Sequence, residues 1–217
     1  MSDNHMIDEI IDKNENLTEK QKLILEAAIE SFAEKGYAAT STSEIAKKAG
    51  VAEGTIFRHY KTKKDLLLSI VAPMMAKLIA PFVIKDLNKV LNQDFESLED
   101  FLRAMIHNRA EFLNANIPLF KIVLQEIPFQ PELQKQFKEH IAIKVYERME
   151  AIIKHYQDDG QLIDLPPYQV VRMTASSIFG FLIGRYLLFP ELDWNDEQEI
   201  EATIQFILHG LAPKEKA

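Results

Sequence analysis

The chain has 217 residues, a formal net charge of −8, 47% hydrophobic and 27% charged side chains, and no cysteine. That is ordinary globular composition with enough apolar content for a sizeable core. The missing thiols exclude disulfides, cysteine nucleophiles and cysteine-ligated zinc or iron–sulfur centres, and they suit a reducing, cytoplasmic setting.

The opening MSDNHMIDEI lacks the basic region and apolar run of a secretory signal. Residues 1–17 are expected to form a flexible acidic tail, with Asp3, Asp8, Glu9, Asp12 and Glu15 against Lys13 alone. Thr18 and Gln21 then spell a capping box, and Leu23, Ile24, Ala27, Ala28, Ser31 and Phe32 follow at helical spacing up to a stop at Lys35–Gly36. Ser41 and Glu44 form a second box over a short helix with Ile45, Ala46 and Ala49 inward, closed by Gly50. A third helix is predicted over 53–60, anchored by Ile56 with Tyr60 in the core, and Thr62 and Asp65 signal a fourth that Pro73 and Pro81 kink or break. Ser97 caps a stripe from Leu98 to Leu113, and Pro118 opens the next helix. Pro128 and Pro131 bracket a turn before a helix over 132–156, closed at Asp159–Gly160. Residues 168–189 form a penultimate helix between Pro167 and Pro190; with Arg172 and Arg185 inside it, this longest apolar stretch is a buried helix, not a membrane span. Asp193 or Asn195 caps the last helix, which ends near Gly210. The expected fold is all-α, about nine helices, with no internal repeat.

Charge is unevenly placed. Residues 40–66 carry Lys47, Lys48, Arg58, Lys61, Lys63 and Lys64 against Glu44, Glu53 and Asp65. A locally basic segment in an acidic chain fits either a nucleic-acid footprint or a solvated charged face. Two short helices joined by a glycine turn after a longer bracing helix follow the helix-turn-helix plan, in which the second enters the major groove while neighbouring helix starts and lysines hold phosphates.

The run GYAATSTSEIAKKAGVAEGTIFRHYKTKKDLL resembles the N-terminal signature of tetracycline-repressor (TetR) family transcription regulators over about residues 20–70. Ala27–Ala28, Phe32, Gly36–Tyr37, Thr40, Ile45–Ala46, Ala49–Gly50–Val51, Gly54–Thr55–Ile56–Phe57, His59–Tyr60, Lys63 and Leu66–Leu67 fall in register. The resemblance implies a DNA-binding domain over 18–78, with the helix-turn-helix at about 41–60, and a ligand-binding and dimerisation domain over 79–217. It places Thr40, Thr55, His59 and Lys63 at phosphate-contacting positions, Glu53, Gly54, Phe57 and Arg58 at or beside base edges, and Ser41 and Ala52 among the DNA-binding residues. Ala52 stands where serine is common, which removes a cap from the recognition helix. Glu53 fits either a dipole-favoured helix start or an acceptor for a cytosine amino group; Arg58 fits guanine or phosphate. Phe57 is read as exposed, because Ile56 and Tyr60 already fill the inward positions.

The resemblance further implies a homodimer on a palindromic double-stranded operator, its last two helices packing against their mates. Ala175, Ser176, Gly180 and Gly184 offer a small-residue strip, and Ile204, Ile207 and Leu208 a partner stripe. Met74, Leu78, Phe101, Met105, Phe112, Phe120, Leu124, Tyr146, Met149, Met173 and Phe179 suit an apolar effector pocket and suit an ordinary core equally well. Arg109 sits on the apolar stripe, where it needs either a structural partner such as Glu126 or an anionic ligand. No HExxH, GxSxG or phosphate-binding glycine loop is present, so neither catalysis nor a metal or other cofactor is expected. The expected function is a ligand-responsive repressor released by a small, largely apolar effector. The alternative is a DNA-binding protein of the same fold that works through a protein partner or in nucleoid organisation.

Overall fold

The computed structural model describes residues 17–74 and 80–211; the expected acidic tail up to residue 16, and Leu78, lie outside them. The described residues form helices and no strand. In chain order these are α1 (Glu19–Ala39), α2 (Thr42–Lys48), α3 (Glu53–His59), α4 (Lys63–Met74), α5 (Ala80–Leu91), α6 (Leu98–Asn114), α7 (Ile117–Glu126), α8 (Pro131–Phe137), α9 (Ile143–Asp158), α10 (Pro167–Ile183) and α11 (Asp196–Leu211). The chain divides into two compact units, Met1–Phe82 with Ala115–Ile141, and Val83–Asn114 with Ala142–Ala217. The first unit therefore recruits α7 and α8 from the middle of the chain, which a division at 78/79 leaves with the second.

In the first unit, α1 opens on the full capping box: Thr18 Oγ1 accepts from the Gln21 amide (3.3 Å) and Gln21 Oε1 accepts from the Thr18 amide (3.0 Å). Its buried stripe, Ile24, Leu25, Ala28, Ile29 and Phe32, packs against α2 and along α7. The helix is interrupted at Gly36, whose φ of 80° suits glycine. A Cβ there would stand 3.3 Å from Gln125 Oε1 of α7, so the break is also a point of close approach. Leu66 and Leu67 of α4 are fully buried, and α4 packs on α8.

The second unit is built on one apolar cluster. α6 supplies Phe101, Leu102, Met105 and Ile106, α9 supplies Ile153 and Tyr156, α10 supplies Val170, Ile178 and Phe181, and α11 supplies Ile200, Ile204 and Ile207. Each such side chain stabilises the fold by roughly 1.5–3 kcal/mol on burial. Two expected long helices are interrupted by π turns. One, Lys138–Ala142, separates α8 from α9; the other, Gly184–Leu188, follows α10 and stops before Pro190. Asn195 rather than Asp193 caps α11, accepting from the Gln198 amide at 3.2 Å.

Candidate nucleic-acid interface

The α2–turn–α3 corner is made almost entirely by local chemistry. Ser41 caps α2, its hydroxyl accepting from the Glu44 amide at 3.1 Å. At the other end Val51 N–H reaches the Ala46 carbonyl (3.0 Å) and Gly50 N–H the Lys47 carbonyl (3.3 Å). This is a Schellman closure around Gly50, whose φ of +67° a β-carbon would strain. Ala52 then starts α3 with no side-chain cap.

Two side chains set the α2–α3 angle beyond the turn. Thr42 Oγ1 donates to Glu53 Oε1 at 2.6 Å, tying the first turn of α2 to the first turn of α3. Ile56 and Tyr60 bury the inner face of α3. Gly54, Phe57, Arg58 and His59 are exposed and Thr55 half-buried. Phe57 leaves 47% of its surface in water, which costs apolar burial and marks a face built for something other than its own core. At Gly54 a Cβ would meet nothing within 4 Å, so no internal contact demands glycine there.

The cations of this region fall into two groups. Lys48 pairs with Glu30 and Glu34 at 3.1 Å each, and Lys35 pairs with Glu44, bracing α2 and the end of α1. Among the described residues, Lys47, Arg58, Lys61 and Lys64 are exposed and make no ion pair. They leave the segment spanning α2, α3 and the start of α4 with unspent positive charge.

A family model of bacterial regulatory proteins, tetR family, matches residues 24–70, the segment just described. Residues 24–70 therefore carry the DNA-binding signature of that family. The fatty acid metabolism regulator protein of Bacillus subtilis is 45% identical over 60 residues, which take in 28% of this chain and 31% of that protein. The HTH-type transcriptional regulator AcrR of Shigella flexneri is 26% identical over 201 residues, 90% of this chain and 91% of that one. The fatty acid degradation regulator FadR from Bacillus halodurans shares the fold, with a TM-score of 0.64, 23% identity, and coverage of 90% of this chain and 98% of that one.

Two of the tetR-type positions carry no free contact. Thr40 is 2% exposed, its hydroxyl donating to the Ser31 (3.0 Å) and Gly36 (2.9 Å) carbonyls. Lys63 Nζ donates to the carbonyls of Tyr37 (2.7 Å), Thr40 (2.8 Å) and Ala38 (3.3 Å) and sits 4.4 Å above the Tyr37 ring. Both side chains fasten α1 internally, their donors engaged by its carbonyls and that of Thr40. Burial, then the nearby Glu126 and Asp65 carboxylates, raise the Tyr37 hydroxyl above its ordinary pKa. Thr42, bonded to Glu53, and the exposed Lys47, Lys61 and Lys64 lie in the same segment; only the Thr42–Glu53 spacing across the turn hints at the first.

The effector candidates are distributed over both units. Phe101 and Met149 line a cavity of ≈ 10 Å³ in the second unit, with Leu102, Tyr156, Val170 and Thr174 among its walls. That is room for about one water. Met105 and Phe112 are buried in the core, Tyr146 and Met173 are half-buried, and Phe179 is exposed. Phe120 and Leu124 lie on α7 in the first unit; the Met74 side chain lies outside the described residues. Arg109 finds its partner in Asp86 rather than Glu126, with Asn108 Oδ1 accepting from its Nε at 3.0 Å and the Phe112 ring 4.7 Å below the guanidinium. Burial lowers the Arg109 pKa while the Asp86 charge works against that. Glu126 instead belongs to the first unit and accepts from Gln130 Nε2 at 3.4 Å.

The expected dimer stripe also divides. Ile204 and Ile207 are buried in their own unit, Leu208 packs partly against the same core, and Gly184 lies against Trp194. What α10 and α11 leave outward is Ser176, Phe179 and Gly180 on one and Ala202 and Phe206 on the other, with Ala175 half-buried beside them. Phe206 is 70% exposed. A helix with Ile200, Ile204 and Ile207 inward puts 202 and 206 on the opposite face. The outward stripe is the one free to meet another chain.

Proposed function

We propose that the protein represses transcription as a homodimer bound to a palindromic operator in the cytoplasm, and that a small, largely apolar effector releases it. The observation that carries the DNA reading is the outward face of α3: Gly54, Phe57 and Arg58 stand exposed on a helix locked from behind by Ile56, Tyr60 and the Thr42–Glu53 bond. Its unpaired neighbours Lys47, Lys61 and Lys64 supply the phosphate attraction. Glu53, with one oxygen held by Thr42, keeps the other for a cytosine amino group. Ser41, Thr55 and His59 flank that face as phosphate donors. The bare stripe of Phe179 and Phe206 supports pairing through α10 and α11, which sets two recognition helices about one DNA turn apart. Selection of bound duplexes from a random pool tests this reading. The expected result is an inverted repeat with half-sites about one helical turn, some 34 Å, apart; recovery of unrelated sequences in moderate salt refutes it.

A second reading has one observation in its favour. The lined cavity of ≈ 10 Å³ holds no effector unless the second unit opens, whereas Leu188, Phe189 and Leu192 are exposed. A protein partner on that patch would then replace the effector. Isothermal titration with apolar acids and amines separates the two: heat of binding together with loss of operator affinity favours the effector.

A further inference from the structure

We propose that Lys63 is a positioning residue of the DNA-binding unit: its ammonium clasps the start of α4 to the broken end of α1 and thereby sets the α2–α3 reader. The argument begins at the backbone. The Gly36 break leaves the last α1 carbonyls without intrahelical partners, and the final turn of α1 has no basic side chain of its own. That end of a helix attracts a cation. Lys63 provides one from the first position of α4, where a positive charge is disfavoured by α4's own dipole, so its placement serves α1 and not α4.

The seat is complete. An ammonium has three donors, and the Tyr37, Ala38 and Thr40 carbonyls take all three. The Tyr37 ring forms the floor at 4.4 Å and is itself anchored 5.5 Å from the buried Phe32 ring. Thr40, whose carbonyl is one of the three acceptors, is the residue before the α2 cap Ser41, so the clasp fixes the point where α2 departs. Its hydroxyl ties the same residue back across the break to Ser31 and Gly36. All three ammonium donors of the half-buried Lys63 are engaged by carbonyls, unlike those of the adjacent Lys64, which is exposed and makes no ion pair.

The inference rests on the DNA reading above, and its test keeps the two apart. The full chain is measured as Lys63→Met, Lys63→Arg and Lys64→Met on a duplex carrying the selected palindrome, across a salt series, alongside amide hydrogen exchange without DNA. Lys63→Met is expected to weaken binding about tenfold or more, the scale of lost hydrogen bonds to a charged group, with an unchanged salt slope and faster exchange at 37–42. Lys64→Met is expected to leave exchange unaltered and to make the slope shallower by about 0.9, one phosphate. Lys63→Arg keeps the charge, so a phosphate contact survives it, whereas a seat fitted to a compact ammonium does not; this variant decides the matter if Lys63→Met fails to fold. A shallower slope for Lys63→Met with exchange at 37–42 unchanged, or full affinity in Lys63→Arg, overturns the proposal. If the wild type selects no palindrome, the DNA reading fails by itself, and exchange at 37–42 still tests the clasp.

Discussion

The two units of this chain solve the same problem with different chemistry. In the first, α2 and α3 have seven residues each, too short to be helical alone. They are held by named polar fastenings: the Ser41 cap, the Thr42–Glu53 bond, Thr40 across the α1 break and Lys63 on the α1 carbonyls. In the second, helices of 16 or 17 residues pack through a continuous apolar cluster, and one well-shielded ion pair, Arg109 with Asp86, sits at its edge. The lesson is that a surface probe is shaped by directional bonds, because it has little area to bury, whereas a larger body is shaped by area.

That contrast can be broken most severely in the second unit. Ile204→Ala is expected to cost about 2–5 kcal/mol, the range for opening a core cavity, measured by denaturant unfolding. Phe206→Ala, two residues away on the opposite face, is expected to leave monomer stability nearly unaltered and to weaken self-association in sedimentation. Equal losses in both readouts would mean α11 is not divided into inner and outer faces.

Next in size, Asp86→Ala strands the Arg109 guanidinium. The loss is expected near 3 kcal/mol, the lower end of the range for a broken buried pair, since 16% of Arg109 and 13% of Asp86 remain in solvent. Asp86→Ala with Arg109→Met is expected to recover much of it. A double variant as unstable as the single one would show that the pair is not what makes Arg109 tolerable.

In the first unit the expected effects are smaller and fall on binding. Arg58→Ala should cost roughly 1–3 kcal/mol on the operator if Arg58 reads a base. If it holds a phosphate, the loss is the same on every sequence and the salt slope shallower. Unchanged affinity removes Arg58 from the site. Smallest of all, Ala52→Ser supplies the absent cap of α3 and is expected to raise stability by about 1 kcal/mol, read as a higher unfolding midpoint.

Local signals were legible. Thr18, Ser41, Gly50, Ser97, Pro118 and Gly160 announce helix starts and stops through bonds spanning three to five residues, and each acts where expected. So was the exposed face of α3, because Ile56 and Tyr60 leave only one side for Phe57 and Arg58. The sequence by itself determined the all-α fold, the helix-turn-helix and its exposed probe, since each follows from periodicity and short-range capping. Only the tertiary structure decided how the long-range donors and charges are spent. Lys63 and Lys64 are neighbours of one type, yet one is bonded to carbonyls 23 to 26 residues away and the other is exposed with no ion pair. Arg109 likewise takes Asp86 over Glu126, and α7 joins α1. The physical reason is that a hydrogen-bond donor is committed by distance in space, which spacing along the chain does not record.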